Sequence, residues 1–103
     1  MSRIRLGIST CPNDTFAFHG ILTRSVDVHG LEFDVKLMDV EELNRGLAIG
    51  AFDVAKASFA TALRMTREWI VLPSGSALGF GVGPVLLSAT ESVPARPRVL
   101  LPG

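Results

Sequence analysis

A lysine set in an apolar run is the side chain best placed to do chemistry in this chain. Lys56 lies within Phe52-Asp53-Val54-Ala55-Lys56-Ala57, two residues before Ser58. In a strand, positions i and i+2 share a face, so the ammonium and the Ser58 hydroxyl are expected side by side at its carboxyl end. There the cation can meet an anion held in a cleft. The alternative is a lysine on the solvent face, its stem laid along apolar neighbours. A second polar cluster, Ser9-Thr10-Cys11-Pro12-Asn13-Asp14-Thr15, separates an apolar run from a helical pattern. Free amides and the positive dipole end at a helix start favour a carboxylate. Ordinary capping by Asn13 or Asp14 accounts for the same residues. Cys11, the single cysteine, reads more simply as a small buried hydrophobe than as a nucleophile. His19 and His29 have no second histidine at ligand spacing, which argues against a metal site and gives little support to a general base.

The stretch Gly75-Ser76-Ala77-Leu78-Gly79-Phe80-Gly81-Val82-Gly83-Pro84 invites a nucleotide-binding reading and fails it. A GxGxxG fingerprint would need glycine where Pro84 stands, and the loop leads into a strand-like run instead of a helix. No Gly-Lys-Ser/Thr triplet exists, so a phosphate-binding loop of that type is excluded. What is left is a turn with close backbone packing, or a backbone wall against a flat ligand.

These residues need elements to hold them. Ile4-Arg5-Leu6-Gly7-Ile8-Ser9 reads as a strand, and Phe18, Ile21 and Leu22 place a helix running to about Thr23. His29-Gly30 is a turn, and Leu31 to Leu37 alternates strictly as a second strand. Asp39 and Glu42 form an acidic capping box. Val40, Leu43 and Leu47 then give that helix a buried stripe, with Gly50 as its stop. A third strand spans Phe52 to Ala57, and a short helix spans Phe59 to Met65. Ile70–Leu72, Val85–Ser88 and Arg98–Leu101 are expected as further strands, with a proline-containing linker over Val93–Pro97. The alternation predicts an α/β fold, a mostly parallel sheet with flanking helices. Ligands in such sheets gather at the carboxyl ends of strands.

Composition narrows the function classes. The chain has 103 residues, 48% hydrophobic and 19% charged, which opposes intrinsic disorder. Ten basic residues balance ten acidic ones, so the electrostatic footprint of a nucleic-acid or anionic-membrane binder is missing. A lone cysteine forms no internal disulfide. Trp69 to Thr90 is 22 residues without a charge. Its prolines and glycines oppose a membrane span, because lipid leaves their backbone groups unsatisfied. The opening MSRIRLGIS is too short an apolar run for a secretory leader, and a soluble cytoplasmic domain is expected.

Read together, the polar segments resemble a family. Leu6-Gly7-Ile8-Ser9-Thr10-Cys11-Pro12-Asn13-Asp14-Thr15-Phe16-Ala17-Phe18 is similar to the opening of the 1,4-dihydroxy-6-naphthoate synthases, enzymes of the futalosine route of menaquinone biosynthesis. The likeness continues through Asp39–Asn44, Lys56–Ala60 and Ser74–Pro84. The CPNDTF stretch sets it apart from the related chorismate dehydratases of the same pathway. The resemblance covers the whole chain but only the first part of the family's length. It implies the first lobe of a periplasmic-binding-protein type II-like fold over 1–92, with 93–103 a linker beginning the crossover to a second lobe. It implies a carbon–carbon lyase that converts cyclic dehypoxanthinyl futalosine to 1,4-dihydroxy-6-naphthoate, with no metal or organic cofactor and a small-molecule substrate as partner. By the same resemblance, Lys56, Ala57 and Ser58 bind substrate. Ser9, Asn13 and Thr15 join them in a ligand site expected where Ser9 to Thr15, Lys56 to Ser58 and the glycine loop converge. No catalytic residue is assigned, because the family's histidine falls past the equivalent of Gly103, and the 103 residues alone are expected to be inactive. The competing expectation is a non-catalytic solute-binding lobe for a small carboxylate.

Overall fold

The structure is a computed structural model, and it describes residues 3–83 and 85–100. Its contacts divide into two units, the first ending at Leu72 and the second beginning at Pro73.

The first unit is built on a strand. β1 (Arg3–Ser9) is exposed at its start and fully buried from Leu6 to Ser9. α1 (Pro12–Ala17) and α2 (His19–Leu22) follow, broken at Phe18 and ended at Thr23. The expected single helix is therefore two short ones on the same periodic stripe. β2 (Glu32–Met38) pairs with β1 in parallel over the full length of both strands, from Arg3–Glu32 to Ser9–Met38. α3 (Val40–Ala48) carries the expected capping box: the Asp39 carboxylate accepts the Glu42 amide, and the Glu42 carboxylate accepts the Asp39 amide. Gly50 then takes φ 69, a left-handed conformation that ends helices and that glycine adopts without strain. β3 (Val54–Ala55) and α4 (Phe59–Arg64) complete the unit. The sheet order is β2-β1-β3, all parallel, so β1 lies at the centre. This is an α/β arrangement with β1 and β3 presenting their carboxyl ends together.

The core lies between the sheet and α3. Leu43, Leu47 and Phe52 form a buried cluster, with Met38, Ala55, Ala57, Met65 and Trp69 packed against it. Gly7 lets α3 come close to the central strand. A Cβ there would stand 2.7 Å from Leu43 Cδ2 and 3.0 Å from Phe52 Cε1.

The third strand is shorter than the six residues expected. Phe52 is drawn into the core and Asp53 is claimed by β1, leaving two residues in the ladder. Arg5 and Asp53 meet in a two-pronged pair, Nη2–Oδ1 at 2.8 Å and Nε–Oδ2 at 3.1 Å. The Arg5 amide also donates to Asp53, and the Asp53 amide donates to the Arg5 carbonyl. Arg5 Nη1 reaches the Gly50 carbonyl at 3.0 Å, tying the end of α3 to the same point. Hydrogen bonds from the Arg5 side chain and amide, aided by its charge, pull the Asp53 carboxyl down to about 2 from 3.8. A carboxyl depressed by folding stabilises the native state above its unfolded pKa and loses that contribution as pH falls through the folded value. Acid titration of unfolding is therefore expected to show a loss between about pH 3.8 and 2 that Asp53→Asn removes. A slope unchanged by the substitution would show that the pair does not govern this window.

The second unit holds no helix or strand ladder among its described residues. The strands expected at Val85–Ser88 and Arg98–Leu101 are absent over 85–88 and 98–100, as is the one at Ile70–Leu72 before the unit boundary. Their side chains lack cover: Ile70, Leu87 and Leu100 are among the large exposed apolar residues. An apolar run becomes a strand only when a second edge takes up its amides and carbonyls, and no such edge is present among the described residues. Pro84, the end of the last expected strand at Leu101, and Pro102-Gly103 lie outside the described residues. Within the glycine loop, Gly75 and Gly81 take φ 85 and 65, the geometry of turns.

Candidate functional site

The parallel register sets β1 and the residues after β3 side by side, bringing together two of the segments marked in the sequence. The Lys56 amide donates to the Gly7 carbonyl at 2.9 Å, so the chain still runs along β1 where the short ladder ends. From there the Lys56 ammonium reaches the Asp14 Oδ1 at 3.0 Å and the Ser9 Oγ at 3.3 Å. Asp14 Oδ2 accepts the Ser9 amide at 2.9 Å, and Ser9 Oγ accepts the Cys11 amide at 3.2 Å. The result is a closed group of Ser9, Asp14 and Lys56 at the carboxyl end of the central strand. Ser9 is buried; the Lys56 side chain is 36% exposed and that of Asp14 only 13%. The carboxylate is thus the deeper member of the pair, and the lysine side chain the more exposed one. Burial pushes the Asp14 carboxyl up, but hydrogen bonds from Ser9 and the Lys56 ammonium outweigh it and hold the group below its usual value.

Asp14 differs from its expected role. α1 is capped at Cys11, without a side-chain hydrogen bond, and begins on Pro12. Asp14 is therefore inside the first turn, with its carboxylate turned back to β1 and across to Lys56. The amides of Asp14 and Thr15 both donate to the Cys11 carbonyl, and Pro12 has no amide hydrogen. The helix start offers an anion fewer free donors than expected. Asn13 is exposed, and the Thr15 hydroxyl donates to the Pro12 carbonyl at 3.2 Å.

Ser58 is engaged elsewhere. It caps α4, its Oγ accepting the Thr61 amide at 3.2 Å and donating to Thr61 Oγ1 at 3.0 Å. Asn44 on α3 grips it from the other side: Oδ1 accepts the Ser58 amide at 3.1 Å, and Nδ2 donates to Ser58 Oγ at 3.4 Å. The amide of Asn44 fixes the turn that follows Lys56. Ala57, between the two polar residues, packs on the core cluster. Asn44→Ala is expected to cost about 1–3 kcal/mol in urea unfolding, because the part-buried Ser58 amide loses its partner. A loss below about 0.3 kcal/mol would mean that water replaces the clamp.

The glycine loop belongs to the second unit. His19 and His29 are exposed. His29 holds its turn with φ 52 and pairs with Asp27, Nδ1–Oδ2 at 3.4 Å. Neither histidine hydrogen-bonds to the cluster. Among the described residues no group of three His, Cys, Asp or Glu is arranged to hold a metal, and no helix is long and apolar enough to cross a membrane. An open groove of about 310 Å³ runs between Met38, Arg45, Ile49 and Phe52, and none of Ser9, Asn13, Thr15, Lys56, Ala57 and Ser58 lines it.

Sequence reasoning missed the contacts of Asp14, which pairs with Lys56, and of Asn44, which clamps the turn beside it. Both stand within the segments that resemble the family, but their partners are 42 and 14 residues away. Nothing in the local spacing reveals such contacts.

Residues 4–103 match the family model VitK2_biosynth, described as menaquinone biosynthesis. The chain is 38% identical to the 1,4-dihydroxy-6-naphtoate synthase of Thermus thermophilus, a match over 100% of this chain and 38% of that protein. It is 33% identical to the 1,4-dihydroxy-6-naphtoate synthase of Streptomyces coelicolor, over 94% of this chain and 34% of that protein. The chain spans little more than a third of the length of these relatives. No solved structure matches it. A parallel sheet that brings Asp14 of CPNDTF to Lys56, and a family match along nearly the whole chain, lead to one assignment: the chain belongs to the menaquinone biosynthesis family.

Proposed function

We propose that this chain supplies the substrate-contacting strand ends of a carbon–carbon lyase that forms 1,4-dihydroxy-6-naphthoate from cyclic dehypoxanthinyl futalosine. The observation that carries the reading is the Ser9–Asp14–Lys56 group, which joins two family-like segments at the carboxyl end of the central strand. That is where parallel α/β sheets receive ligands. Lys56 presents an outward ammonium to the substrate, Ser9 and Ala57 form the floor, and Asn13, Thr15 and Ser58 flank it. The architecture is the first lobe of a periplasmic-binding-protein type II-like protein working in the cytoplasm, with the substrate bound against this sheet edge. No cofactor is invoked.

A second reading, a binding lobe without turnover, draws on the two histidines. Both are exposed and neither touches the cluster, so the described residues hold binding groups but no histidine positioned as a base.

Titrating 1,4-dihydroxy-6-naphthoate into the isotope-labelled chain tests where the ligand sits. The amide signals of Ser9 to Thr15 and Lys56 to Ser58 are expected to move together. Shifts confined to Met38, Ile49 and Phe52 would place the ligand in the apolar groove and refute the assignment.

A further inference from the structure

We propose that Asp14 is a specificity-determining residue: by compensating Lys56 from beneath, it removes most of the site's preference for a carboxylate, so that a neutral ligand oxygen, a hydroxyl or carbonyl, competes for the same ammonium. The inference rests on the reading that Lys56 meets the ligand. An ammonium has three N–H donors. Two are directed at Asp14 Oδ1 and Ser9 Oγ, which leaves one for a ligand on the exposed side. The pair carries no net charge, and among the described residues no second cation hydrogen-bonds to either residue or to Ser9. A ligand carboxylate at about 3 Å from the ammonium, on a second N–H direction of its tetrahedral nitrogen, would lie roughly 5 Å from the Asp14 carboxylate, and because Coulomb energy falls as 1/r the repulsion offsets about three-fifths of the attraction. A neutral oxygen accepts the same charge-assisted hydrogen bond without that repulsion. The contacts that hold Asp14 below its ordinary pKa keep it charged at neutral pH, so the compensation is permanent there. The strong carboxylate preference expected from the sequence is thus reduced to a small one, and the deeper residue of the pair sets it.

Two probes with one ring system separate the possibilities: 2-naphthoate, an anion, and 2-naphthamide, its neutral counterpart. Both are titrated by NMR into the 103-residue chain and into Asp14→Asn and Lys56→Met. The wild type is expected to bind naphthoate no more than threefold tighter than naphthamide. Asp14→Asn should shift that ratio at least fivefold toward naphthoate, a change that a merely structural role would not produce. Asp14→Ser, which leaves room for a water between Ser9 and Lys56, carries the same expectation if the asparagine variant does not fold. A wild type preferring naphthoate more than threefold, or Asp14 variants that shift the ratio less than fivefold, would overturn the inference. Lys56→Met distinguishes the two levels. If it weakens both probes while the Asp14 variants leave the ratio alone, only the role of Asp14 falls. If it leaves both affinities within twofold, the ligand does not meet Lys56 and the site assignment falls with it.

Discussion

Leu43→Ala is expected to destabilise the fold by about 2–5 kcal/mol, the range for emptying a fully buried leucine site. Leu43 is 0% exposed and joins Leu47 and Phe52 in the core cluster. Its Cδ2 occupies the space that Gly7 leaves open on the central strand. Relaxation cannot close the resulting cavity cheaply, because α3 is held at both ends. The capping box fixes its start, and Arg5 grips the Gly50 carbonyl just past its end. Among the described residues only Leu6, Ile8, Leu43, Leu47 and Phe52 are buried large apolar side chains. Domains have about 5–15 kcal/mol in all, so this one change removes a large share. Urea unfolding measures it, with Leu63→Ala as control. Leu63 is 59% exposed, and its truncation should stay within about 0.5 kcal/mol. A Leu43→Ala loss below about 1 kcal/mol would mean that α3 does not pack on the sheet as described.

Lys56→Met is expected to weaken binding of 1,4-dihydroxy-6-naphthoate by about 10–100-fold, the equivalent of losing one charge-assisted hydrogen bond of about 1.5–3 kcal/mol. The competing view, a lysine snorkelling on the solvent face, predicts almost no change. Geometry separates them: a snorkelling head is free in water, whereas this one is bonded to Ser9 and Asp14 with its stem half-buried. Methionine keeps the stem's volume and removes only the charge and donors. It also strands Asp14, whose carboxyl should rise once its cationic partner is gone. Carboxyl titration by NMR gives an independent check that the side chains were paired. An affinity change under twofold, about 0.4 kcal/mol, would return Lys56 to the solvent face.

The elements legible in the sequence are those whose signals are local. Strict alternation marked β2, the Asp39/Glu42 spacing marked the start of α3, and Gly50 marked its end. The α/β class and the parallel pairing of β1 with its neighbours followed from the order of these elements. Lys56 was legible because a cation in an apolar run is costly without a purpose or a partner. Its partner was not, because Asp14 in a polar turn reads as a cap and the contact spans 42 residues. Ser58 was legible as a polar residue after a strand, yet its hydroxyl is held by Thr61 and Asn44, one of them on another helix. The expected strands at 70–72, 85–88 and 98–100 show the reverse failure. Their apolar character is real, but a strand is a property of two edges, and hydrophobicity alone specifies one.

The most direct measurement is turnover by a chimera in which this chain replaces the matching segment of the Thermus thermophilus 1,4-dihydroxy-6-naphtoate synthase. Naphthoate release from cyclic dehypoxanthinyl futalosine is followed with Lys56 intact and with Lys56→Met, the folded state of each being checked by thermal unfolding. The Lys56 chimera is expected to form product, and methionine to lower kcat/KM by about 10–100-fold in a folded protein. Equal turnover by the two folded chimeras, within twofold, would contradict that expectation.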